Sequence, residues 1–228
     1  MPVKEKWSLW LRWLGANAFG ELFGLGLSLT ALALFISRAG QGQGVGMVLL
    51  SFLVAVVSGV FEATVVSYAQ FWAMQPWFSS LTRRAWWLGT LAGALAAYAL
   101  GYLPSTLMDL GAQTGQAAPV AEPAQWIVML LAAGLGLAAG AVLSFAQWLA
   151  LRRVACGAGI WIPANMLAWM VSMPLIFWGI DIAQKAQSMA HTVLIMAGVL
   201  LLIGVVAGAV HGIFLVHIAS KSKAYSST

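Results

Sequence analysis

Charge is the scarcest property of this sequence. Of 228 residues, 11 are Lys or Arg and 6 are Asp or Glu, so charged side chains make up 7% of the chain. A soluble domain carries roughly a quarter, and this composition excludes one. Cysteine occurs once, at Cys156, which excludes a disulfide framework and a cysteine-built metal site. No zinc-binding pattern, phosphate loop or carboxylate dyad is present. The 10 methionines are scattered, without the thioether cluster that copper would need.

What remains is apolar. Hydrophobic residues reach 62%, with 12 Trp and 24 Gly. One core cannot hide that much apolar surface in 228 residues, and a bilayer is the solvent that fits. A spanning helix needs about 20 apolar residues. Six stretches qualify, at 13–37, 46–74, 86–104, 126–151, 160–180 and 192–218. The expected architecture is therefore all-α: a six-helix transmembrane bundle forming one integral membrane domain over 1–228. Its longest loop is expected at about 105–125, and Pro174 is expected to kink the fifth helix. The first stretch follows basic residues as a secretory leader would. However, it is too long, carries Glu21 and lacks a small-x-small cleavage site, so it reads as a span.

Basic residues set the expected orientation. With six spans, one side holds Lys4, Lys6, Arg12, Arg83, Arg84, Arg152, Arg153, Lys221 and Lys223, and the other holds Arg38 and Lys185. Positive loops stay inside, so both termini are expected in the cytoplasm, in a bacterial inner membrane. The pI near 9.7 follows from this asymmetry and implies no nucleic acid partner. Most tryptophans, Trp13, Trp86, Trp87 and Trp161 among them, fall near the cytoplasmic interface and read as an anchoring belt.

A repeat runs through the chain. Trp13-Leu-Gly-Ala-Asn17, Trp87-Leu-Gly-Thr-Leu91 and Trp161-Ile-Pro-Ala-Asn165 are spaced by 74 residues each time. Fixed spacing points to one supersecondary unit used repeatedly. Three parallel hairpins, at about 7–77, 84–153 and 158–220, predict pseudo-threefold symmetry about the membrane normal. The even helices carry small-residue ladders at i+4: Gly59/Ala63/Ser67, Gly136/Gly140/Ser144 and Gly204/Gly208/Gly212. Such ladders let helix backbones approach closely in lipid.

The segment from Gly140 through Ser144, Gln147-Trp-Leu and Leu151-Arg-Arg153, followed by Trp161 and Asn165, carries a resemblance. It resembles uncharacterised bacterial polytopic membrane proteins with repeated "QWLxLRR…W" hairpins, familiar from cyanobacteria and other phototrophs. The likeness is best over about 126–170, and Met74-Gln-Pro76 departs from the pattern. That group has no established activity, so the resemblance implies fold and membrane location only.

Ionisable groups inside hydrocarbon are costly and are functional suspects by default. The even helices align differently: Ser67–Met74 reads against Ser144–Leu151, a shift of 77, and Gly136–Val142 against Gly204–Val210, a shift of 68. Glu21 then aligns with Leu95 and Trp169 on the 74-residue spacing, while Glu62 aligns with Ala139 and Ala207 and His211 with Val66 and Leu143 on the even-helix matches. None of the three is shared between repeats. At about 1.5 Å per residue, Glu21 and His211 fall at similar heights, with Glu62 deeper. Helices one and six are neighbours in a closed ring, so Glu21 and His211 are expected to face each other or a shared cavity. Asn17, Asn165, Gln70 and Gln147 form an amide set near the same leaflet, with interhelical hydrogen bonding as its ordinary use.

Three classes of function follow. The first is a non-enzymatic membrane module that binds another membrane protein or a lipophilic molecule, its cofactor unknown. In one variant of it, Ala207 one turn before His211 leaves room for a pigment whose metal the imidazole holds. The second is a small transporter or channel with Glu62 and Glu21/His211 as proton or cation sites. The third, most remote, is an intramembrane enzyme built on Ser144 and His211, which lacks the nucleophile loop and oxyanion donors such chemistry needs. No catalytic residue is assigned.

Overall fold

Long apolar runs with few helix breakers leave the backbone one solution in lipid, the α-helix, which satisfies every peptide group within its own segment. The computed structural model describes residues 1–39, 44–113 and 123–225. Six helices dominate: α1 Val3–Ala39, α2 Val45–Met74, α3 Arg83–Gln113, α4 Gln125–Leu151, α5 Trp161–Gln184 and α6 Met189–Tyr225. All six are long and apolar enough to cross a membrane, yet only 17% to 33% of each apolar window is buried inside the protein. The rest of that apolar surface faces outward, as it does in a helix solvated by lipid.

Local chemistry sets several ends. The Thr82 hydroxyl accepts from the Ala85 N–H (3.2 Å) and caps α3. Ser188 does the same for α6 through His191 N–H (3.3 Å). Gly157, at φ +72°, makes the left-handed turn between α4 and the short 3₁₀ turn Ala158–Ile160 that leads into α5. The helices overrun the apolar stretches: α3 continues through Pro104 to Gln113, so much of the expected 105–125 loop is helical. Positions 114–122 of that loop lie outside the described residues. Likewise α5 runs unbroken through Pro174.

Each helix packs against the next in the chain, and α6 closes on α1. Close backbone approach drives this, as the small-residue ladders imply. A Cβ placed on Gly140 would lie 2.6 Å from the Asn165 carbonyl oxygen, and one on Gly204 would lie 2.6 Å from that of Asn17. Only glycine permits helices to touch this way at the α4–α5 and α6–α1 seams.

The largest core lies at the end of the ring where both termini fall. It gathers Leu9, Trp13, Met74, Trp86, Leu151, Trp161, Leu215 and Ile218. Phe78 and Leu81, from the α2–α3 connection, fold in and complete it.

Candidate functional site: an aromatic-amide core and a buried acid pair

Trp13, Trp86 and Trp161 are fully buried and meet at the centre of that core. Their ring centroids are 5.7 to 6.4 Å apart; Trp13 meets Trp86 and Trp161 edge-to-face at 69° and 77°, and Trp86–Trp161 is tilted at 57°, all at separations where aromatic pairs attract. These three are therefore core, not interfacial belt, which corrects the expectation from sequence. The 74-residue spacing does not pick out the residue that packs inward on α3. The inward tryptophan of α3 is Trp86, 73 residues after Trp13 and 75 before Trp161, whereas Trp87 donates to Thr64 Oγ1 (3.2 Å) at the periphery.

Every indole N–H in the trio is satisfied by a side chain from the even helix that precedes it around the ring. Trp86 donates to Gln70 Oε1 (3.3 Å), Trp161 to Gln147 Oε1 (3.0 Å) and Trp13 to His211 Nδ1 (2.7 Å). A second layer lies one turn along. Asn17, Thr90 and Asn165 each donate to the carbonyl four residues back, on Trp13, Trp86 and Trp161 (2.7, 2.9 and 2.9 Å). The amides then join the helices: Gln70 Nε2 donates to Asn17 Oδ1 (2.8 Å) and Gln147 Nε2 to Thr90 Oγ1 (3.0 Å). Gln70 thereby ties α1 to α3 through α2, and Gln147 ties α3 to α5 through α4. The amide set is real, but it is divided around the ring and includes Thr90, which the 74-residue register hid.

His211 is the largest revision. It makes the contact that Gln70 and Gln147 make, so its counterparts are these glutamines, not Val66 and Leu143. No hydrogen bond or ion pair among the described residues joins it to Glu21: Nδ1 accepts from Trp13, and neither ion pair involves either group. The imidazole is buried and packed against the Trp13 and Trp161 rings, each at 5.6 Å. Indoles thus occupy ground that a pigment ring would need. Ser144 donates to its own helix, at Gly140 O (2.6 Å), the back-bond a hydroxyl makes inside a helix.

Glu21 opens a turn that packs against α2, the helix that carries Glu62. Gly24, three residues after Glu21, lies against the α2 backbone, where a Cβ would fall 2.9 Å from Glu62 Cα. Gly20 lies against Val66, one turn further along α2. Glu21 lies between these two contacts, within about one turn of Glu62 along the α1–α2 seam. No dyad was legible in sequence, because 41 residues separate the two acids. Both are buried, at 3% and 8% exposure. The helix changes character here: Glu21–Leu25 form a π-helical turn inside α1, a feature frequent at functional sites.

Polar groups missed by the sequence reading complete this second site. Tyr98 of α3 donates its hydroxyl to Glu62 Oε2. Its ring lies over Gly59, where a Cβ would come within 3.0 Å. Ser28 Oγ accepts from the Glu62 N–H (3.3 Å) and donates to Ser58 O (2.7 Å). Glu21 Oε2 has no hydrogen-bond partner. The available signal was that Tyr98 is the one bulky residue in the i+4 series Thr90/Ala94/Tyr98, where Ala16/Gly20/Gly24 and Ala164/Ala168/Ser172 on the other odd helices are all small. Among the described residues no group of three or more His, Cys, Asp or Glu is arranged to hold a metal ion.

Comparison with known proteins adds no relative: no family model, curated protein or solved structure matches the chain.

Proposed function

We propose that this chain is a non-enzymatic protein of the bacterial cytoplasmic membrane that binds another membrane protein or a lipophilic molecule. In this reading both termini are cytoplasmic and three hairpins stand around a pseudo-threefold axis. The recurrent pairs Trp13–Asn17, Trp86–Thr90 and Trp161–Asn165 support the symmetry. The nine basic residues at the same end support the orientation.

The observation that carries the reading is the tryptophan trio. Three interlocked indoles, all buried and all hydrogen-bonded, fill the centre of the ring at one end. A filled centre suits a rigid scaffold and works against an axial path. Clefts lie on the outside instead: one between α1 and α6 is lined by Lys6, Trp7, Trp10 and Ile213, and one between α1 and α2 by Arg12, Phe19, Tyr68 and Trp72. Apolar clefts edged by a cation suit an amphipathic partner.

A second reading, a small transporter, draws support from the buried Glu21 and Glu62. Reconstitution into liposomes separates the two. Proton and alkali-cation flux equal to that of empty vesicles is expected. Flux above that level that disappears in Glu62→Gln would favour transport and overturn the binding reading.

A further inference from the structure

Two carboxyls buried within about a turn of each other on one helix seam require compensation. An uncompensated carboxylate in a low-dielectric interior costs many kcal/mol, and two neighbours cost more. The protein supplies no cation: among the described residues the ion pairs are Lys185–Asp181 and Lys223–Glu5, both exposed. Other ionisable side chains near the pair are Tyr98, bonded to Glu62, and Tyr102, whose ring centroid lies 6.0 Å from that of Tyr98. Neither carries positive charge. One acceptor, Glu21 Oε2, is sealed from solvent and unbonded. A buried oxygen in that condition is the kind of defect that native interiors avoid or use.

We propose that Glu21 and Glu62 form a single proton-binding site, with Tyr98 as its hydrogen-bonding member. Binding forms one O–H bond on a carboxyl oxygen from an aqueous proton and breaks no other covalent bond. The shared site removes like-charge repulsion, and the remaining charge is carried by the carboxyl that Tyr98 bonds. Position suits exchange along a seam: Glu21 opens the π-helical turn, where the regular i to i+4 ladder of α1 is interrupted. Among the described residues the pair lacks the third acidic or imidazole ligand that a transition metal would use, whereas a proton needs only a carboxyl oxygen. The inference stands on the α1–α3 geometry and not on the binding reading, so either can fail alone.

Infrared spectroscopy tests it on the full chain in lipid. At about pH 8, exposed carboxyls are ionised. The expected result is a neutral-carboxyl C=O band that shifts in D2O, drops by half or more in Glu21→Gln or Glu62→Gln, and is lost in the double variant. A wild-type spectrum without that band, or a double variant that keeps it, overturns the proposal. Disappearance of the band on adding sodium chloride but not choline chloride also overturns it, by assigning a metal cation. Should the variants lose helicity, a lipid-soluble carbodiimide with mass-spectrometric mapping decides on the wild type. An adduct on Glu21 or Glu62 supports the site, and adducts confined to other acids overturn it.

Discussion

Trp13 and His211, 198 residues apart, share a 2.7 Å hydrogen bond at the seam where the last helix meets the first. The same job is done by Gln70 and Gln147 at the other two tryptophans. His211 therefore acts here as a neutral acceptor that closes the ring.

Replacement at position 211 should follow that role. His211→Gln offers the acceptor used at the other seams and is expected to keep stability within about 1 kcal/mol. His211→Leu leaves the Trp13 N–H buried without a partner and should cost about 1–3 kcal/mol. Reversible unfolding in mixed micelles measures both. Equal loss in the two variants would show that the imidazole does more than accept.

Trp86 and Trp87 provide a second contrast. Trp86 is fully buried in the trio, whereas Trp87 is partly exposed and bonds Thr64. Trp86→Ala should cost about 3–5 kcal/mol, the range for deleting a core indole. Trp87→Ala is expected to cost clearly less in the same unfolding assay. The reverse order would restore the 74-residue register and remove the core described above.

Cys156 reports orientation. Its thiol is free and exposed in the α4–α5 connection. In intact cells a membrane-impermeant maleimide should leave it unlabelled until the membrane is permeabilised, while a cysteine introduced at exposed Lys185, in the α5–α6 connection, should label at once. Labelling of Cys156 in intact cells would invert the proposed topology.

The sequence reading succeeded where composition decides the outcome. Long apolar runs and glycine ladders announced six helices and their close packing, and α1 does lie beside α6. Its misses share one cause, helix rotation and slide. Trp86 and Trp87 differ by about 100° around α3, and a helix apolar on all sides gives no moment to say which side turns inward. His211 and Leu215 share a face of α6 but differ by one turn, about 5.4 Å. The Gly204-to-Val210 match with Gly136-to-Val142 pairs Gln147 with Leu215, whereas the packed α6–α1 seam seats His211 in the glutamine's place. Glu21 and Glu62 share a seam because Gly20 and Gly24 let α1 approach α2 there, and no spacing along the chain encodes that approach.

By itself, then, the sequence determined an all-helical chain suited to lipid, because hydrophobic content and run length act residue by residue whatever the neighbours do. Only the tertiary structure decided which indoles interlock, what His211 bonds and which acids share a seam. Those choices belong to rotation and register between helices, and in an apolar solvent the energy that sets them is contact and hydrogen bonding, which exist only once the helices have met.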